Sequence, residues 1–538
     1  NFASRFLTSD IWLLTSVLCC LAGMGTKETM AGAPLLVLLY DRTFVSGSFG
    51  EAWQRRRKFY LSLAATWLPL AWLVASSDGR GQSVMFNSVV PWWQYALIQA
   101  AAIIRYLRLS LWPSGQIFDY GLYIISNPFV VVSCFLFISL LVAGTVISLK
   151  RWPAVGFLGA WFFLILAPSS SVVPVVTQTV AEHRMYLPLA AVVSLGVIGL
   201  HRAARGYSWI VLLPMAAALG VATFARNHVY KSALSLWSDT VRKNPGNHRA
   251  QNNLGIAYIQ AGDVSKAIPC FTASLRLLQG YGVQTNLGNA LLKAGHTDEA
   301  IAELRKAVQL DPDSAQIRTI LAHALVQAGR SDEAIAQLER AVTLDPQDNI
   351  AQHNLATALV RAGRLDEAAS RFEIVLTNNP KDIDARNSYG LLLGRMGQLP
   401  EAINQFEAAL RLNPDSAETH DNLGLALAMS GQDEQAINHF TEAVRLDPKL
   451  PDARYNFAKV LMKNEKWPEA IEQYRALLSL IQPTAEICNS LGAAYANLGQ
   501  MTEASRWFRE ALKLDPQNAS ARENLSRIED EPGGQHSP

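Results

Sequence analysis

Glu182, His183 and Arg184 stand side by side between two stretches of almost unbroken apolar sequence. A carboxylate, an imidazole and a guanidinium are the side chains that bind anions and carry protons. Three further groups of charges lie in similarly oily surroundings: Lys27 with Glu28, Arg105 with Arg108, and Asp119 beside Tyr120. A charge at the centre of a bilayer costs about 3 kcal/mol on insertion scales, so each of these must face protein, water or a lipid headgroup. Each also has a plainer reading. Arg105 and Arg108 near a helix end can snorkel to an interface. Lys27 and Glu28 can pair across a helix break, and Glu182–Arg184 can be a solvated loop.

The elements that would position these groups are apolar helices. Residues 1–224 hold 15 Lys/Arg against 7 Asp/Glu and 10 of the 13 Trp, whereas the remainder of a chain with net charge +2 is acidic. A bilayer core needs about 20 apolar residues per crossing. Segments 59–75, 91–112, 128–149, 153–168, 186–200 and 209–225 meet or approach this, and 11–40 is a longer run broken by "GMGTKETMAGAP". Residues 1–225 are therefore expected to form a transmembrane domain of seven or eight helices. Positive charges divide almost evenly between its two sides and do not orient it. Cys19, Cys20, Cys134, Cys270 and Cys488 show no metal-ligand spacing and read as buried thiols. The chain opens at Asn1 without an initiator methionine and is read as a fragment or a processed chain.

The second half is periodic. Prolines recur at 312, 346, 380, 414 and 448, each 34 residues after the last. Leu254-Gly255, Leu287-Gly288, Leu321-Ala322, Leu355-Ala356, Tyr389-Gly390, Leu423-Gly424, Phe457-Ala458 and Leu491-Gly492 keep the same rhythm, as do Ala267, Ala300, Ala334, Ala368, Ala402, Ala436, Ala470 and Ala504. This is the tetratricopeptide pattern of paired helices, expected as eight units over 248–518. Residues 226–247 are expected to be a partial repeat coupling the two halves, 519–530 a capping helix, and 531–538 a disordered tail. The fold class is all-α: a polytopic transmembrane helix bundle followed by a superhelical repeat solenoid with a concave groove.

Asn253, Asn286, Asn354, Asn422 and Asn456 occupy one place in the repeat, and Asn387 and Asn489 lie one residue earlier. Asparagine both donates and accepts, so such a ladder can hold an extended peptide by its backbone, or can bond between neighbouring helices. His353, His420 and His439 read as isolated and solvent-facing. The acidic balance of this half speaks against a nucleic-acid partner, and no metal cluster is evident.

"GTKETMAGAPLLVLLYD", "RYLRLSLWPSGQIFDY" and "SSVVPVVTQTVAEHRMYLPL", with the repeats after them, resemble the transmembrane and tetratricopeptide-repeat family related to protein O-mannosyltransferases, of the C-type glycosyltransferase fold. The resemblance spans nearly the whole chain. It implies a polyprenyl-phosphate sugar donor, Ser/Thr acceptors on proteins, and a bacterial plasma (inner) membrane with the repeats extracytoplasmic. It offers Lys27, Glu28, Arg105, Asp119, Glu182, His183 and Arg184 as candidates for binding the donor phosphate. The family's catalytic acidic motif lies in an early extracytoplasmic loop that this sequence does not contain, so the catalytic residue is unknown and its place is expected upstream of Asn1. No other cofactor is implied. Two functions follow as expectations: the later portion of a sugar transferase whose groove binds acceptor or partner proteins, or a membrane-anchored repeat scaffold that does no chemistry. A transporter is a weaker third reading, because no intramembrane acidic relay or inverted repeat is visible.

Overall fold

The chain is seen in a computed structural model that describes residues 15–20, 31–76, 92–112, 115–120, 127–167, 185–204 and 207–530. It divides into two compact units, Asn1–Gly295 and His296–Pro538.

In the first unit, the apolar run expected over 59–75 is split. One helix covers Phe49–Ala65 and the next Trp67–Ser76. Pro69 has no N–H to bond back to Ala65, and the Thr66 hydroxyl donates to Leu63 O at 2.5 Å, closing the first helix locally. Helices Trp92–Leu111, Pro128–Arg151, Pro153–Leu166, Tyr186–Ala203 and Trp209–Val229 follow. Tyr95, Tyr106, Tyr120, Phe162 and Leu166 anchor a core among them. Pro128–Arg151 and Pro153–Leu166 form a tight hairpin. A Cβ on Gly156 would lie 2.3 Å from Leu149 N, and one on Gly159 would lie 2.5 Å from Thr145 Oγ1, so only glycine permits this approach. Among the described residues, Phe129–Arg151 and Trp209–Val229 are long and apolar enough to cross a bilayer. Little of either is buried: Phe129, Leu140, Val221 and Phe224 all stand exposed.

Ala233–Lys243 then leads into the helix pair His248–Gln260 and Val264–Leu277, followed by Tyr281–Lys293. The second unit opens on Thr297–Leu310 and continues with six helix pairs. The first helix of each pair is called A and the second B. Ala at the start of each B helix is fully buried where the helices cross, as at Ala334, Ala368, Ala402, Ala436, Ala470 and Ala504. Glycine in the A helix and phenylalanine in the B helix are fitted to each other. A Cβ on Gly390, Gly424 or Gly492 would meet the ring of Phe406, Phe440 or Phe508 at 2.7–2.9 Å. A last helix, Ala519–Asp530, packs on the eighth repeat, with Asn524 Nδ2 donating to Asn489 Oδ1 at 3.1 Å. Within this unit successive A helices touch in repeats 3 to 7, and no comparable contact joins successive B helices among the described residues. The A helices therefore line the inner side of the curve.

Candidate functional site

Of the residues marked for an anionic headgroup, Lys27, Glu28, Glu182, His183 and Arg184 lie outside the described residues. The structure places the other two. The Arg105 guanidinium sits 4.4 Å over the ring of Tyr120, and the carboxylate of the adjacent Asp119 pairs with Arg249 at 2.7 Å. Arg249 belongs to the first repeat, 130 residues further on. The same short segment carries more bonds. Asn247 Nδ2 donates to Asp119 O at 2.8 Å, Asn244 Nδ2 to Tyr120 O at 3.1 Å, and Lys243 Nζ to Gln116 O at 2.8 Å. Phe118 meets Trp237 edge-on at 5.3 Å. Arg105 and Asp119 thus come together at a joint that fastens the apolar half to the start of the repeats.

Asp239 reinforces that joint from the coupling helix. It accepts from Arg226, Arg242 and Lys243 at 2.5–2.7 Å. Burial alone would raise its pKa, but the bonds from Lys243, Arg242 and Arg226 outweigh burial and hold it at about 2. A second buried carboxylate, Asp41, went unmarked by sequence reasoning. It bonds Arg56 at 3.1 Å, Ser46 Oγ at 2.9 Å and the Tyr60 hydroxyl, beside a π-helical turn over Arg42–Ser46. Its signal was an acidic residue closing an apolar helix just before the "RRRK" run at 55–58.

The asparagines of the repeats are half-buried on the A helices, and several bond across to the neighbouring A helix. In the first unit, Asn286 Nδ2 donates to Asn252 Oδ1 at 3.0 Å, and Asn252 Nδ2 lies 3.4 Å from Asn253 Oδ1. In the second, Asn387 Nδ2 donates to Thr419 Oγ1 at 2.9 Å and Asn456 Nδ2 to Asp421 Oδ1 at 3.0 Å. Asn489 accepts from the last helix. Asn354 and Asn422 hold the same half-buried place, and Asn422 Nδ2 makes no hydrogen bond.

The inner face of repeats 5–8 has a character of its own. Asp384, Glu418, Asp452 and Glu486 stand exposed in one row, one per A helix. Leu391 and Leu425 are exposed further along these helices, and Met429 is 59% exposed. Asp421 lies among them and is only 7% exposed. Burial first, then the carboxylates of Asp452 and Glu418, push its pKa up to about 6 against the opposing bond from Asn456. No ion pair reaches Asp421 among the described residues.

The three histidines are not isolated. The expectation is corrected by pairing that only the fold reveals: His420 and His439 face each other with their Nδ1 atoms 2.9 Å apart, and His353 packs edge-on against Phe372 at 5.4 Å. Sequence reasoning also missed the fourth residue of the A helices. Its side chain reaches the carbonyl of the proline six residues earlier: Arg318 to Pro312, Gln352 to Pro346, Arg386 to Pro380 and Arg454 to Pro448, at 2.7–3.2 Å. The recurring proline was the available signal, but the residue bonded to it varies in type.

With this geometry in hand, comparison with known proteins identifies the repeats. The family model described as "Tetratricopeptide repeat" matches residues 218–281, 285–349, 353–395 and 455–519. A second, described as "TPR repeat", matches 390–431 and 427–465. Over 90 residues the chain is 29% identical to BBSome complex member BBS4 of Xenopus tropicalis, a match covering 17% of each protein. Among solved structures, PilF of Pseudomonas aeruginosa aligns at 20% identity over 40% of this chain and 97% of its own, with a TM-score of 0.36. PilW, a widely conserved type IV pilus biogenesis factor, aligns at 22% identity over 39% of this chain and 98% of its own, with the same TM-score of 0.36. Between residues 218 and 519, then, the chain carries tetratricopeptide repeats, units that serve elsewhere to bind proteins or peptides.

Proposed function

We propose that this chain is a membrane-anchored scaffold whose repeats 5–8 take an extended, basic protein segment along their inner face. The observation that carries this reading is Asp421. A buried carboxylate without a cation costs stability, and neighbouring carboxylates add to the cost. A lysine or arginine from a partner would relieve it. Exposed Leu391, Leu425 and Met429 offer apolar contact to the same segment, and the half-buried asparagines offer hydrogen bonds to its backbone. Acidic residues in the first turn of an A helix also suit the helix dipole. That plainer account does not extend to Asp421, which lies past the first turn.

The anchor is read as a polytopic helix bundle in the plasma membrane of a bacterium, with the repeats extracytoplasmic. Two exposed apolar helices of bilayer length, one of them an arm of the glycine-tight hairpin, support the anchor. Transfer of a sugar from a polyprenyl-phosphate donor ranks behind the scaffold. Both described candidates for the headgroup, Arg105 and Asp119, are engaged at the joint to the repeats.

The test uses the whole protein in detergent and two labelled extended peptides, one alternating lysine with leucine and alanine, the other with glutamate in place of lysine. The lysine peptide should bind, the glutamate peptide should not, and Asp421→Asn with Asp452→Asn should weaken binding. Losing a charged contact at the buried Asp421 and a weaker one at the exposed Asp452 corresponds to about twentyfold to a thousandfold in affinity. Equal binding of both peptides, or binding indifferent to the two substitutions, would remove the proposal.

A further inference from the structure

Repeats 3, 5 and 7 share a lock between their two helices. Arg318 donates to Pro312 O and to Gln337 Oε1 at 2.8 Å, Arg386 to Pro380 O and to Gln405 Oε1 at 2.9 Å, and Arg454 to Pro448 O and to Gln473 Oε1 at 2.9 Å. In repeat 6 the same two places hold His420 and His439. His420 Nε2 lies 3.1 Å from Pro414 O, and its Nδ1 lies 2.9 Å from His439 Nδ1.

Counting hydrogens shows what this exchange does. A carbonyl oxygen only accepts, so His420 Nε2 carries a hydrogen. A neutral ring then has a bare Nδ1, and His439 must donate its own Nδ1–H to it. The bridge survives one added proton, because His439 can take it on the far nitrogen. It does not survive two. With both rings charged, two N–H donors meet at 2.9 Å. The unfolded chain has no such restriction.

We propose that the His420–His439 pair makes repeat 6 a proton-sensitive joint, closed in neutral solution and loosened in mild acid, where its sister repeats stay locked. The sign follows from the proton count. Unfolded, both rings titrate near the ordinary histidine value of about 6.5. Folded, the pair binds fewer protons, so stability is fully present above that value and falls as the pH drops below it. Burial first, and then the facing His420, hold His439 below its ordinary value.

The surrounding charges do not undo this. Glu407, on the preceding B helix, favours a charged His439 but also lies 3.8 Å from Arg411. Glu442, on the same helix as His439, is held by Arg445 at 2.5 Å, and Asp415 acts on Arg445. Arg386 and Arg454, from the A helices on either side, are turned to their own proline carbonyls and glutamines.

Hydrogen exchange of the whole protein, corrected for the chemical exchange rate, tests the proposal at pH 7.5 and pH 5.5. Peptides from 417–446 are compared with the histidine-free repeat over 485–514. Protection of repeat 6 should fall relative to repeat 8 by about fivefold, the worth of one ordinary hydrogen bond. His420→Arg with His439→Gln installs the sister lock and should abolish that fall while keeping protection at pH 7.5. Should the double variant lose protection at pH 7.5, His439→Gln alone gives the reading. Its amide can donate to a neutral His420 or accept from a charged one, so it too should respond little to acid. An unchanged wild-type ratio between the two pH values would overturn the proposal, as would an equal fall in wild type and in the variant that folds.

Discussion

Glu465 holds a left-handed backbone, φ 57°, where seven other repeats place glycine with φ between 73° and 83°. A side chain in that conformation is strained, so Glu465→Gly should stabilise the protein by about 1 kcal/mol, less the extra freedom glycine gains when unfolded. Thermal unfolding of both forms decides it, and a lower melting temperature in the variant would show that the strain is relieved elsewhere. Asp421 makes the opposite bargain. Its pKa of about 6 exceeds the ordinary carboxylate value, so the folded state holds its proton longer than the unfolded chain. Stability is therefore lost as pH rises from about 4 to about 6 and stays lost above. Asp421→Asn keeps the oxygen that accepts from Asn456 and removes the charge. The variant should match wild type at pH 4 and exceed it by about 1–2 kcal/mol at pH 7. Denaturant titrations at the two pH values measure this, and a gap equal at both would mean that charge is not the cause.

Glycines of the A helices divide into two kinds at the level of the element. Gly424 lies where an added Cβ would reach the Phe440 ring at 2.9 Å, whereas Gly394 has nothing within 4 Å of that position. Gly424→Ala should cost about 1–3 kcal/mol through overpacking. Gly394→Ala should gain up to about 1 kcal/mol, because alanine gives up less freedom in a helix. Urea midpoints of the two variants should move in opposite directions, and a shift of the same sign in both would contradict the assigned crossing. The helices themselves were legible in the sequence because the marks at proline, Leu-Gly and alanine keep one period. The locks between them were less so. Arg, Gln and His serve the same proline carbonyl, so no single residue type advertised the contact, and His420 looked isolated because its partner stands 19 residues away. Asp119 was marked as a charge in oily sequence, but its partner, Arg249, is brought to it only by the fold.

For the whole molecule, the proposed anchor and orientation make a direct prediction. In a variant without the native cysteines, a cysteine placed at the exposed Gln482 should react with a membrane-impermeant thiol reagent in intact cells. Labelling only after lysis would put the repeats on the cytoplasmic side. The residue-level locks also bear on how long such a chain can be. The repeats recur about every 34 residues, and repeat 5 carries two kinds of fastening: the fit of Gly390 to Phe406, and the Arg386 side chain reaching back to the Pro380 carbonyl. Copying residues 380–413 in frame therefore copies one of each. Tandem duplication of 380–413 should give a folded protein one repeat longer, with helical circular dichroism increased in proportion and a melting temperature no lower than the parent's. Duplicating 380–408, five residues shorter, would remove the end of the helix Leu399–Leu412, with its buried Ala409, from one copy and should unfold locally. Lengthening by whole units is the growth that this architecture leaves open.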